Sequence, residues 1–335
     1  MTGRNSSPGT RSPRACRWRV YDDIVQTIGR RDDPTPMVRL NRLVDTPDYQ
    51  LYLKLERHNP FGSVKDRVAL EMLRDLESAG RTVIEASSGN TGLALAGIAA
   101  TMGIPVEIAV PEGVPEEKKA MLRLLGVRIW ETDDALCPRF PSEGARGLVD
   151  AMVNSPATRD HYLSPNQYES RLNVQAHYRH TGPEIRRQAA VVGTLTHFFA
   201  GFGTCGTISG VGRYLKKHSP AVRVIGVEPS SPAHKLPGLK RITGLPEELV
   251  PGILDLDVVD ARESVTDEEA YDTAIALARR EGILVGPTTG AIVAAALRHA
   301  AKGPGMGVVI APDDAFKYGQ FYTRYLDDKE AKSEH

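Results

Sequence analysis

An α/β protein built on two open, twisted, mostly parallel sheets flanked by helices is the fold class this sequence predicts. Short β-rich runs alternate with helical stretches in a βαβ rhythm. The rhythm occurs in two successive series, and 335 residues are enough chain to bury two such units.

In the first series Leu51 to Leu55 reads as a strand, Val64 to Ala79 as a helix, Thr82 to Ala86 as a strand and Thr91 to Met102 as a helix. Strand Val106 to Val110, helix Glu116 to Leu125 and strand Val127 to Glu131 complete it. The second series runs through helix Val174 to Ala189, strand His197 to Ala200, helix Thr207 to His218 and strand Val222 to Glu228. Thr266 and Glu269 have the spacing of a capping box and announce a helix from Asp267 to Arg280. Helix Ala291 to Ala301, strand Gly307 to Ala311 and helix Asp314 to Leu326 close the pattern, with no room left for an appended regulatory domain. Asp133 to Pro165 has no clear period, and Ser230 to Pro251, rich in Pro and Gly, reads as a long ordered or gating loop. The expected division is a smaller domain at 48–163, a larger one from 21–47 plus 164–326, and tails at 1–20 and 327–335. There is no internal repeat.

Charge narrows the function. Lys plus Arg and Asp plus Glu both number 42, so no global field draws the chain to nucleic acid or to an anionic membrane. The neutrality is an average: residues 1–20 contain five arginines and no acid, the composition of a disordered basic tail, and the remainder has 37 basic residues against 42 acidic ones. No apolar stretch is long enough to span a bilayer and no secretory signal opens the chain, which points to a cytoplasmic protein. Cys16, Cys137 and Cys205 are odd in number and far apart, so neither a disulfide framework nor a metal site is expected.

Four strand-to-helix junctions carry candidate chemistry. Gly201-Phe202-Gly203-Thr204-Cys205-Gly206-Thr207 matches GxGxxG, with Glu228 at the end of the next strand. A dinucleotide loop and a tight turn both fit it; glycines that let backbone N–H groups converge at a helix N-terminus bind a phosphate whatever molecule carries it. Ser87-Ser88-Gly89-Asn90-Thr91 clusters neutral donors suited to a small carboxylate. Asn59 to Arg67 places Lys65 in the first turn of a helix, where the macrodipole disfavours a permanent positive charge and frees the amine as a nucleophile; an ordinary solvated lysine fits as well. In Gly286-Pro287-Thr288-Thr289-Gly290, Thr289 reads as an N-cap before helix Ala291. Taken together, an anion nest, a carboxylate loop and an activated lysine describe an aldehyde cofactor bearing a phosphate, and an amino acid.

From about Tyr21 to Tyr325, the order and separation of these motifs resemble the fold type II pyridoxal-phosphate enzymes, specifically the cysteine synthases and cystathionine β-synthases. The resemblance implies a cofactor, pyridoxal 5'-phosphate, between the two domains and linked to Lys65 as a Schiff base. It implies Asn90 beside the ring hydroxyl, with Ser87, Ser88, Gly89, Thr91 and Gln167 around the substrate carboxylate. Gly203, Thr204, Cys205, Gly206 and Thr207 resemble the family's phosphate cup, with Cys205 replacing a glycine. Thr288 stands where the family puts a hydroxyl against the pyridine nitrogen, which leaves that nitrogen largely unprotonated and favours β-elimination. His177 to Glu184 also resembles the family, with a structural role.

The implied reaction is β-replacement, in which loss of a leaving group gives an α-aminoacrylate that sulfide or a sulfur carrier converts to L-cysteine. Pro237 to Arg241 looks like the segment of cysteine synthases that accept O-phosphoserine. A phosphate leaving group gains from a guanidinium, so Arg241, with Lys240 beside it, is the candidate reader; O-acetylserine is the other donor. The resemblance also implies a homodimer. On the same fold, a cystathionine β-synthase, a diaminopropionate-forming synthase or a serine/threonine dehydratase would keep Lys65 and the cup. A different-class alternative is an NAD-binding oxidoreductase built on Gly201 to Gly206, and a third reading is a catalytically silent relative acting as a binding partner or scaffold.

Overall fold

Residues 19–74, 76, 80–87, 89–133 and 143–333 are described by the computed structural model. The basic segment 1–18, Ser88, Cys16 and Cys137 lie outside the described residues. In chain order the strands are β1 (Met37–Arg39), β2 (Tyr49–Leu55), β3 (Thr82–Ala86), β4 (Val106–Pro111), β5 (Arg128–Thr132), β6 (Tyr162–Leu163), β7 (His197–Gly201), β8 (Arg223–Pro229), β9 (Ala261–Val265) and β10 (Gly305–Ala311). The helices are α1 (Lys65–Arg74), α2 (Asn90–Met102), α3 (Glu116–Leu124), α4 (Gly144–Asn154), α5 (Arg171–Ala176), α6 (Gly182–Val192), α7 (Gly206–His218), α8 (Asp267–Ala276), α9 (Pro287–Ala300) and α10 (Gly319–Ser333).

Two sheets form. The larger has the order β1-β2-β10-β7-β8-β9 and the smaller β5-β4-β3-β6, and every pairing is parallel except β1 with β2. Central strands such as β8 are buried along nearly their whole length, as expected where helices cover both faces of a parallel sheet. Both sheets reverse their strand order next to the strand that matters most. In the smaller sheet the chain leaves β3 toward β4 and β5 and returns on the other side as β6; in the larger it leaves β7 toward β8 and β9 and returns on the other side as β10. Such a reversal opens a crevice at the carboxyl ends of the strands, where open α/β sheets bind ligands. The Ser87 loop follows β3, Gln167 follows β6, the Gly203 loop follows β7 and Asp313 follows β10.

Two boundaries differ from expectation. Strand β2, placed in the smaller domain by a division at 48, pairs with β10 over Tyr49–Leu55 and is part of the larger sheet. The residues from 327 onward, expected as a tail, continue α10 as far as Ser333. The helix read as Val174 to Ala189 is α5 and α6 joined by a π-turn at His177–Thr181, and that at Asp267 to Arg280 is α8 followed by a π-turn at Leu277–Glu281. The Thr266 capping box is present, with both reciprocal bonds formed.

Helix α1 is held from beneath by a buried ion cluster. Arg67 bonds Glu56 at 2.6 Å and Glu184 at 2.6 Å, and Lys54 bonds Glu184 at 2.6 Å, all four side chains without solvent exposure. Burial opposes the Glu56 charge, but Arg67 more than compensates and holds its carboxyl down at about 2. From the opposite side, Phe61 packs on bare Gly97 of α2, where a Cβ would run into its ring. The segment between, Asn59 to Lys65, is thereby fixed between the two sheets.

Candidate active site

Lys65 is the first residue of α1 and its ammonium donates to Thr204 Oγ1 at 3.2 Å. Its pKa is pushed down to about 8, chiefly by burial, with Cys205 and Asp313 pulling the other way. Loss of water, more than the helix terminus, is the cause. Ser63 Oγ accepts from the Lys65 N–H and donates to Asp66 Oδ1, both at 3.2 Å, while Asp66 Oδ2 takes the Phe61 N–H at 2.6 Å, which fixes how the chain enters α1.

From Thr204 the bonding continues without a break. Asn173 of α5 donates to Thr204 Oγ1 at 3.1 Å and to the Gln167 carbonyl at 2.8 Å. Gln167 Oε1 accepts from Thr91 Oγ1 at 2.6 Å. One chain of hydrogen bonds thus joins the lysine, the loop after β7, the loop after β6 and the loop after β3. Glu85 at the foot of β3 supports it, accepting from Ser164 Oγ at 3.2 Å and from the Asn166 N–H at 3.0 Å, and burial pushes its carboxyl up to about 7. Ser87 Oγ accepts from Gly92 N–H at 2.9 Å and Gly89 N–H at 3.4 Å, so what it can offer a ligand is its single hydrogen.

The loop after β7 is a cradle of backbone. Ser209 N–H is bonded to the Cys205 carbonyl at 3.0 Å, so the N–H groups of Gly206 and Thr207 precede the helical ladder and stay free for an anion. A Cβ on Gly203 would lie 2.5 Å from the Gly238 carbonyl, and one on Gly206 would run into the Asn173 side chain. Cys205 caps α7 in the left-handed region at φ 68°, which explains why glycine suits the position; its buried thiol is pushed up to about 12 by desolvation. Thr207 Oγ1 lies 3.2 Å from His177 Nε2, a ring that burial drives down to about 3 and so keeps neutral. Glu228, which a dinucleotide loop would present to a ribose, is already occupied: it accepts from Ile242 N–H at 2.7 Å, Thr243 N–H at 2.9 Å and Thr243 Oγ1 at 2.5 Å.

Over residues 29–313 the chain matches the family described as pyridoxal-phosphate dependent enzyme. The chain belongs to that family. Among curated relatives, the cysteine synthase of Aquifex aeolicus is 40% identical over 92% of this chain and 95% of its own length. Cysteine synthase B of Salmonella typhimurium is 39% identical over 85% and 90%. Among solved structures, O-ureido-L-serine synthase superposes with a TM-score of 0.79 at 32% identity, covering 90% of this chain and 94% of that one. O-acetyl serine sulfhydrylase isoform 3 from Entamoeba histolytica does so with 0.76 at 30%, covering 93% of each. The protein is a fold type II pyridoxal-phosphate-dependent enzyme of the cysteine synthase family, and the oxidoreductase reading falls away.

The residues fit that cofactor. Free N–H groups at the α7 terminus, over two glycines that admit no Cβ, suit its phosphate; the lowered amine of Lys65, bonded to the same loop, suits its aldehyde. Thr288 lies in the first turn of α9 and donates to the Pro237 carbonyl at 2.8 Å. That helix starts earlier than expected, with Gly286 as its cap and Pro287 at its first position, so Thr289 is inside it and not its cap. Lys240 is placed by its backbone bond to the Phe202 carbonyl at 2.6 Å and sits 5.3 Å from the Tyr168 ring, which Arg146 also approaches at 4.8 Å. Arg241 Nη1 lies 3.5 Å from where a Cβ on Gly244 would stand. Asn90 bonds Asp313 and Lys317. The sequence reading missed Asn173, Asp313 and Lys317. A polar residue straight after an apolar strand was the signal for Asp313; Asn173 and Lys317 lie in unremarkable helical contexts.

Proposed function

We propose that this enzyme makes L-cysteine by β-replacement on an O-activated serine, with O-phosphoserine as donor and sulfide or a sulfur carrier as nucleophile, acting in the cytoplasm as a homodimer. The observation that carries the reaction is the unbroken chain Lys65–Thr204–Asn173–Gln167–Thr91, which ties the nucleophilic amine to a carboxylate-sized cluster of neutral donors. When bound, pyridoxal phosphate supplies the electron sink for charge developing at the amino acid's Cα. Lys65, its pKa lowered to about 8, would hold the cofactor through its aldehyde and, as a free amine, would serve as the base for the Cα proton. Thr91, Gln167 and the Ser87 hydrogen orient the carboxylate, and the Gly203 to Thr207 cradle anchors the phosphate end.

The phosphate leaving group is supported by the cationic lip at Tyr168, where Lys240 and Arg146 converge beside Gln167. Arg241 is the second cation of that loop. The test is kcat/KM for O-phosphoserine against O-acetylserine, in the wild type and in Lys240→Ala and Arg241→Ala. A preference for O-phosphoserine that each substitution cuts by about tenfold, a charge-assisted bond's worth, supports the reading. A preference for O-acetylserine, unaffected by both, overturns it and leaves the acetyl donor.

A further inference from the structure

Asn90 sits between two partners that leave its amide only one orientation. On one side Lys317 Nζ lies 2.9 Å from Oδ1; an ammonium only donates, so this must be the oxygen. On the other, Asp313 Oδ2 accepts from Nδ2 at 2.7 Å. The same carboxylate oxygen accepts from Tyr318 OH at 2.5 Å, and its fellow Oδ1 is buried without a partner. Lys317 spends its other two hydrogens on the carbonyls of Phe61 and Gly62, each at 3.0 Å, directly ahead of Lys65. Gly62 makes that approach possible: its φ is 77°, and a Cβ there would stand 3.2 Å from the ammonium.

We propose that Asp313 and Lys317 are positioning residues that lock the Asn90 amide so that its Nδ2 is held for the cofactor's ring oxygen. The proposal rests on the reading of Asn90 as a cofactor ligand. Lys317 also ties the Asn90 loop of the smaller sheet to the segment that delivers Lys65, so the Asn90 amide and the chain ahead of Lys65 are set by one ammonium. What Asp313 contributes to the lock is an acceptor oxygen: Oδ2 takes both bonds, while burial raises the carboxyl's pKa and the bonds from Tyr318 and Asn90 pull it back down.

The test is the Kd of pyridoxal phosphate for the full-length apoenzyme, read by absorbance, in Asn90→Ala, Asp313→Ala, Asp313→Asn and Lys317→Met, and in each of the last three combined with Asn90→Ala. Supporting residues of this kind typically cost about tenfold in affinity when removed. The expected result is a tenfold weaker Kd for Asn90→Ala, Asp313→Ala and Lys317→Met, near-wild-type binding by Asp313→Asn, and no further loss when any is combined with Asn90→Ala. Losses that add to that of Asn90→Ala, or wild-type affinity in both Asp313→Ala and Lys317→Met, overturn the proposal. If Asp313→Ala does not fold, Lys317→Met decides alone. Wild-type affinity in Asn90→Ala itself overturns instead the reading of Asn90 on which the proposal stands.

Discussion

After β7 the chain presents backbone to the crevice; after β3 it presents side chains. The Gly203 to Thr207 cradle is made of N–H groups at a helix start, and its geometry depends on two bare Cα atoms and one left-handed residue. The loop from Ser87 to Thr91 works through hydroxyls and an amide, each already committed to a neighbour: Ser87 to Gly92, Asn90 to Asp313, Thr91 to Gln167. A phosphate with fixed shape suits the first. A carboxylate that must arrive, turn over and leave suits the second, whose donors can exchange partners. Asn173 links them through Gln167, donating to Thr204 Oγ1 and to the Gln167 carbonyl, while Gln167 Oε1 accepts from Thr91.

The largest effect should come from filling the cradle. Gly206→Ala drives a methyl into Asn173, and overpacking of that kind costs about 1–3 kcal/mol, so the Kd for pyridoxal phosphate should rise about 10- to 100-fold. Unchanged affinity in a titration of the apoenzyme would break the claim that bare backbone makes this loop. A smaller, differently placed effect is expected on the other side. Thr91→Ala leaves buried Gln167 Oε1 without its donor, at about 1–3 kcal/mol, and should raise the KM for the amino-acid donor about tenfold while cofactor affinity stays the same. A parallel fall in cofactor affinity in steady-state and binding measurements would show that the loops are not separate in function.

The smallest effect is expected at Cys205. Glycine there removes the cost of the left-handed backbone, about 1–2 kcal/mol, but also forfeits the burial of the thiol, of similar size. Cys205→Gly should therefore stay within about 1 kcal/mol of wild type in denaturant unfolding and bind the cofactor equally well, because the amide donor is unchanged. A large loss of binding would mean that the side chain, not the backbone, serves the ligand.

The same contrast explains what was legible in the sequence. Backbone loops need glycines at fixed offsets, and Gly203 and Gly206 announce themselves; so do apolar strands such as Thr82–Ala86, which ends where it was expected to. Side-chain networks leave little trace. Asn173 looks like any helical asparagine until the fold sets it against Thr204, and Lys317 matters only because a turn after β10 returns it to Gly62. Short edge elements escaped for another reason: β1 has three residues and β6 two, too few for any period to show, and β9 carries two adjacent charges, Arg262 and Glu263, in a five-residue run with no buried face until Val265. Strand β2 went to the wrong sheet because its pairing with β10 spans most of the chain's length, which no local pattern encodes.

The central claim is that Lys65, of all the lysines near the crevice, carries the cofactor. Borohydride reduction of the holoenzyme, followed by proteolysis and mass spectrometry, tests it directly. One pyridoxyl-modified peptide, containing Lys65, is expected. Modification at Lys240 or Lys317 with Lys65 unlabelled would contradict it.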